Sequence, residues 1–141
     1  MDESLLRNIQ AVIGKMEDCY FIPAERGEKL IQNVAEKFSL DIRQLFLWDN
    51  KNYSEIFDYS TSDQWEPILR KLLARFNDRI FLVVSNEGLF PWKVLNFKAS
   101  DCISLLTELP FFEYFLFDES MKNIIFDTHH NSLILFKQDT L

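Results

Sequence analysis

Only three glycines and four prolines occur in 141 residues. That scarcity excludes collagen-like and Gly/Pro-rich disordered chains, and it leaves no glycine-rich loop of the kind that cradles phosphates. Two cysteines, Cys19 and Cys102, are too few for a disulfide framework and suit a reducing, cytoplasmic compartment. Positive charge is also short: 15 Lys and Arg stand against 22 Asp and Glu, a formal charge of −7, and no basic tract occurs. Such a surface repels a phosphate backbone, so nucleic acid is not the expected partner. No apolar run approaches the roughly 18–20 residues that span a bilayer, and "MDESLLRNIQAVIGKMED" lacks the basic flank and apolar centre of a signal peptide, so no membrane association is expected. Histidine is nearly missing too, and the two present are adjacent, His129 and His130.

What is abundant is apolar. Hydrophobic residues make up 48% and phenylalanine occurs 14 times, enough for one domain spanning 1–141 to bury a core without staples. The first 78 residues read as helical. Leu5, Leu6, Ile9, Val12, Ile13 and Met16 recur at three- and four-residue steps, as do Leu30, Ile31, Val34 and Phe38. A short helix is expected after Asp41, with Gln44 three residues on. Trp65, Ile68, Leu69, Leu72, Leu73 and Phe76 form the strongest stripe, with Pro67 expected near the first turn.

From residue 79 the period changes. "RIFLVVS" and "PWKVLNF", separated by "NEG", predict a β-hairpin. "KASDCISLLTELP" predicts a helix capped by Ser100 or Asp101, with Cys102, Leu105, Leu106 and Leu109 inward and Pro110 as stop. "FFEYFLFD", "NIIFDT" and "SLILFK" predict three more strands. The expectation is an α+β fold: N-terminal helices packed on a mostly antiparallel sheet of about five strands with one inserted helix. Short hairpin links cannot make parallel neighbours.

The segment 48–65, "WDNKNYSEIFDYSTSDQW", fits neither pattern, although a short strand near 54–59 would suit it. A connection this long is usually functional or mobile. Its aromatics Trp48, Tyr53, Phe57 and Tyr59 are the residue types that anchor interfaces, and Asp49, Glu55, Asp58 and Asp63 supply a field for a basic partner. These eight are the candidate partner-binding residues, and the competing expectation is that the aromatics fold back onto the helices. His129 and His130 form a secondary candidate site. Adjacent strand residues point to opposite faces, so they share a metal only if the backbone turns between them, with Asp127 and Asp118 the nearest further ligands. No metal or other cofactor is expected, because a plain turn into a last strand accounts for the pair. Cys102, near a helix start, has the position of an activated thiol, but it also begins an apolar stripe. No Walker, Rossmann, His-Glu-x-x-His or G-x-S-x-G pattern occurs, so the expectation is a protein without catalysis.

The run "FFEYFLFDESMKNIIFDTHHNSLILF", residues 111–136, resembles the end of a family of small bacterial proteins in which a strand ending in aspartate, a second strand and a doubled histidine precede a last apolar strand. "RIFLVVSNEGLFPWKVLNF" is similar to the same pattern, so the resemblance covers the chain from residue 79 onward. Comparable sequences carry a tryptophan and a glutamate ahead of the histidines, where this chain has Ile124 or Ile125 and Asp127. The family resembles immunity proteins that neutralise contact-dependent toxins. The resemblance implies a cytoplasmic, stoichiometric inhibitor whose partner is a toxin domain, with a basic nuclease as the class that the acidity suits. Two other classes stay open: a small metal- or cysteine-dependent enzyme using His129, His130 and Cys102, and a regulatory ligand-binding domain with a pocket between helices and sheet.

Overall fold

The computed structural model describes residues 3–38, 55–85, 92–127 and 132–137. Four helices, α1 (Glu3–Ile13), α2 (Ala24–Phe38), α3 (Ser62–Leu73) and α4 (Cys102–Thr107), accompany seven strands. The strands are β1 (Tyr20–Phe21), β2 (Glu55–Asp58), β3 (Arg79–Val84), β4 (Lys93–Lys98), β5 (Tyr114–Phe117), β6 (Asn123–Asp127) and β7 (Ser132–Lys137). They form one sheet in the order β1-β4-β3-β5-β6-β7-β2, with every pair antiparallel.

The α+β expectation holds, and the count of about five strands does not: the sheet has seven. The two extra strands come from the half that reads as helical and form the two edges. The short strand that suited residues 54–59 is present as β2, whereas β1, with two residues, has no periodicity to detect. The expected helix after Asp41, the "NEG" turn and the His–His link lie outside the described residues.

Alternation along the strands sorts side chains onto two faces. One face carries Ile80, Leu82, Leu95, Phe97, Tyr114, Leu116, Ile125, Leu133 and Leu135, and it packs against Leu5, Ile9 and Val12 of α1, Leu69, Leu72 and Leu73 of α3, and α4. The opposite face is aromatic. Phe81 pairs with Phe117 and Phe115 with Phe126 across neighbouring strands, at ring distances of 5.3 and 5.1 Å, and Phe136 meets Phe126 at 5.3 Å. Helix α2 covers this face with Ile31, Val34 and Phe38. Both faces of the sheet are therefore buried, which is why the central strands read as nearly unbroken apolar runs.

Gly27 allows α2 to lie close: a Cβ there would stand 3.3 Å from the Val94 side chain. Helix α3 starts with Gln64 reaching back to the Ser60 backbone N–H, 2.7 Å, and accepting from its hydroxyl, 2.9 Å. Ser60 precedes the N-cap, Thr61, which makes no side-chain capping bond itself. Pro67 is in the second turn rather than the first. It is exposed there, so the carbonyl it cannot satisfy is open to water. Helix α4 is preceded by a 3-10 turn, Ala99–Asp101, and Asp101 makes no capping bond with its side chain.

Candidate functional site

The segment singled out in the sequence resolves, from residue 55 onward, into the edge strand β2 and the start of α3. Strand β2 lies against β7 with Glu55 opposite Leu135 and Asp58 opposite Ser132. Its side chains divide by parity. Phe57, and Tyr59 just beyond the strand, turn to the α1/α3/α4 face and are half-buried against that core. Ile56 is 48% exposed on the other face. Asp58 shares that face, exposed, accepting a hydrogen bond from the Ser132 hydroxyl at 2.7 Å.

Glu55 is already engaged, 2.6 Å from the Lys137 ammonium and 3.9 Å from the Arg75 guanidinium. The Lys137 hydrogen bond, followed by the charges of Lys137, Arg75 and Lys71, holds its carboxyl below the ordinary carboxylate range. Asp63 and Glu66 are exposed on α3, and Glu66 is paired with Arg70 at 3.3 Å. A shallow cavity of about 240 Å³ at this end is lined by Asp63, Trp65, Glu66, Pro67 and Thr107. Of the eight partner-binding candidates, the structure thus brings together Glu55, Phe57, Asp58, Tyr59 and Asp63. Trp48, Asp49 and Tyr53 lie outside the described residues, as do His129 and His130.

Beneath this edge is a polar cluster that sequence reasoning did not find. Asp127, at the end of β6, is 3% exposed. Its Oδ1 accepts from the Tyr59 hydroxyl at 2.6 Å, and its Oδ2 accepts from the Tyr114 hydroxyl at 2.7 Å and from the Trp65 indole N–H at 2.9 Å. One buried carboxylate therefore ties the residue after β2, the first turn of α3, β5 and β6 together. Charge-assisted bonds of this kind are roughly twice as strong as neutral ones and offset part of the cost of burying the charge. Burial first, with the bond to Asp127 and its charge, pushes the Tyr59 hydroxyl far above its ordinary value, and burial does the same at Tyr114. The signal in the sequence was Tyr59, Trp65, Tyr114 and Asp127 as separate polar-tipped residues, and only the cross-strand pairing of Tyr114 with Asp127 joins them.

Asp118 does not join Asp127 at an ion site. The two occupy opposite ends of the β5–β6 hairpin, about 13 Å apart for four residues of strand. Asp118, 1% exposed, accepts from the Asn77 N–H at 2.9 Å and from the Ser120 N–H and hydroxyl, fixing the turn in which Met121 has φ 51°. Among the described residues no three His, Cys, Asp or Glu side chains are placed to hold a metal. Cys102 is fully buried and burial drives its thiol well above the ordinary range, the opposite of an activated nucleophile. Cys19 is half-buried; burial, then the Asp101 charge, raises it from 9.0 to about 11.

A second polar cluster fastens the other edge. Arg79 donates from Nε to Asn96 Oδ1 at 2.6 Å, and from its two terminal nitrogens to the Asp18 carboxylate at 2.7 Å and carbonyl at 2.8 Å. It also stands 5.6 Å over the Tyr20 ring. The fork holds Asp18 in a left-handed conformation, φ 63°, at the bend into β1.

Comparison with known proteins finds no matching family model, no matching curated protein and no matching solved structure. Among the described residues, no helix is long and apolar enough to cross a membrane.

Proposed function

We propose that this protein is a non-catalytic binding module of the immunity type, acting in the cytoplasm to neutralise a toxin by covering the active site of a basic partner domain. A basic nuclease is the toxin class that best complements it. The observation that carries the reading is the β2–α3 edge. There Ile56 offers exposed apolar surface beside the exposed acid Asp58, and Asp63 is exposed at the start of α3, on a chain of net charge −7. Acids placed this way steer a cationic partner and occupy groups that would otherwise bind phosphate. Burial of Cys102 opposes the cysteine-dependent chemistry that one alternative would need.

The test is affinity capture of the tagged protein from its host's lysate with elution in salt steps. One stoichiometric basic protein, released by salt and lost from the Asp58→Asn/Asp63→Asn double variant, supports the reading. Equal capture by that folded variant, or capture of background alone when the partner is expressed, overturns it.

A different class is favoured by one observation. A cavity of about 250 Å³ lies between α1, α2 and β4, lined mainly by Leu6, Phe21, Ile22, Trp92 and Val94. A small-molecule binder would show a ligand-dependent rise in melting temperature with no protein partner present.

A further inference from the structure

The two edges of the sheet are unequal. Strand β1 is two residues long and is followed one residue later by Pro23, which has no N–H to offer. That edge is blunted in the way natural sheets commonly avoid pairing. Strand β2 is four residues long, contains no proline, and among the described residues has a neighbour on one side only, β7. Among the described residues nothing pairs with its other side, which carries main-chain donors and acceptors, and its one exposed large apolar side chain is Ile56.

The charges decide which chain can add to it. Alternate residues of a strand aim their main-chain groups at alternate edges, so a second copy joining antiparallel through the same edge sets residues of like parity opposite: Ile56 against Ile56, or Ile56 against Asp58. Either way Asp58 meets no cation. A strand with basic side chains supplies one. Glu55 is neutralised on its own face by Lys137 and Arg75, which leaves Asp58 as the acid available on the face shared with Ile56. Residues 56 and 58 are two apart, so a complementary strand carries an apolar residue and a Lys or Arg also two apart on one face.

We infer that β2 is a docking edge for an extended, basic segment of the partner, which adds to the sheet as an eighth strand with an apolar side chain beside Ile56 and a cation beside Asp58. This rests on the binding-module reading and specifies how the partner is held: main-chain hydrogen bonds supply the grip, and the Ile56–Asp58 pair supplies the selection.

The test uses the full-length ¹⁵N-labelled protein and synthetic peptides with threonine on one face and alternating valine and lysine on the other. Amide exchange in the isolated protein should be fast at alternate residues of β2 and slow at the others. The Val/Lys peptide should protect the fast amides. N-methylation of every second peptide amide, or exchange of lysine for glutamate, should weaken binding at least about tenfold, the scale of one or two hydrogen bonds or a charge-assisted contact. Four results would overturn strand addition: protection of all four β2 amides without peptide; equal binding of the N-methylated peptide; no β2 response at millimolar peptide; or dimerisation with β2 protection in sedimentation and exchange, which would install a second copy as the occupant. In the first three cases the salt-eluted capture, with its dependence on Asp58 and Asp63, still decides the binding-module reading separately.

Discussion

Replacing Asp127 tests whether one carboxylate fastens the β2–α3 edge to the sheet. In Asp127→Leu, the indole N–H of Trp65 and the hydroxyls of Tyr59 and Tyr114 all lose their acceptor, and Tyr114 has no route to water because it is 3% exposed. An orphaned buried donor costs about 1–3 kcal/mol, and Tyr59, half-exposed, recovers part of its share from solvent. The expected loss is therefore about 3–5 kcal/mol, a large part of the roughly 5–15 kcal/mol that a domain this size holds. Asp127→Asn should cost less, about 1–3 kcal/mol. Its amide oxygen can keep Trp65 and Tyr114 while its NH₂ donates to the Tyr59 oxygen, so charge is lost but few donors are orphaned. Urea unfolding followed by tryptophan fluorescence reads both. With a slope of about 1–3 kcal/mol per molar urea, the leucine variant should move the midpoint by roughly 1–5 M. Tyr114→Phe in the Asp127→Leu background should cost much less than Tyr114→Phe alone. Were the leucine variant to lose under about 1 kcal/mol with an unchanged slope, or were the two substitutions to add, the cluster would not be the fastening argued here.

Other expectations follow from the same structure. Arg79→Lys keeps the charge but loses the fork to Asp18 and Asn96, and should cost about 1–3 kcal/mol by urea titration while raising amide exchange at Tyr20 and Phe21. Gly27→Leu should destabilise by about 2–3 kcal/mol by overpacking against Val94, and Val94→Ala should restore part of the loss. At pH 8 both thiols should react slowly with a disulfide reagent in the folded protein, Cys102 only after unfolding and Cys19 at a reduced rate. The folded state binds the Cys19, Tyr59 and Tyr114 protons more tightly than the unfolded chain does. Stability should thus be intact below about pH 9 and fall as pH rises, through Cys19 between 9.0 and about 11 and through the tyrosines above their ordinary value of 10.0. A urea midpoint that climbs over that range would contradict this.

The helical stripes of α1, α2 and α3 and the central strands were legible because each repeats its period over several turns or several alternations. Leu5, Ile9 and Val12 are buried as the spacing requires, and so are Ile31, Val34 and Phe38. Strand β2 matches the short strand expected near 54–59, but the β1 edge was not legible, because two residues carry too little pattern. Neither was the Asp127 cluster. Asp127 read as a companion of His129 and His130, whereas its partners lie 13 to 68 residues away in sequence and meet only through strand register. Aromatics with polar tips look alike in sequence whether they face a partner or a buried acid. Tyr59 and Trp65 face the acid, and the exposed apolar side chain at this edge is Ile56.

The position of β2 in the strand order also sets a timetable. Its only described neighbour is β7, so residues 55–58 cannot find their place until residues 132–137 have been synthesised. Strands β3 to β6 join to one another through shorter separations and can assemble first, as local contacts do. Residues 55–58 are thus the last described piece of the sheet to close. A chain cut before residue 132 would leave β2 without its described neighbour, and whatever that edge does would wait for residues 132–137.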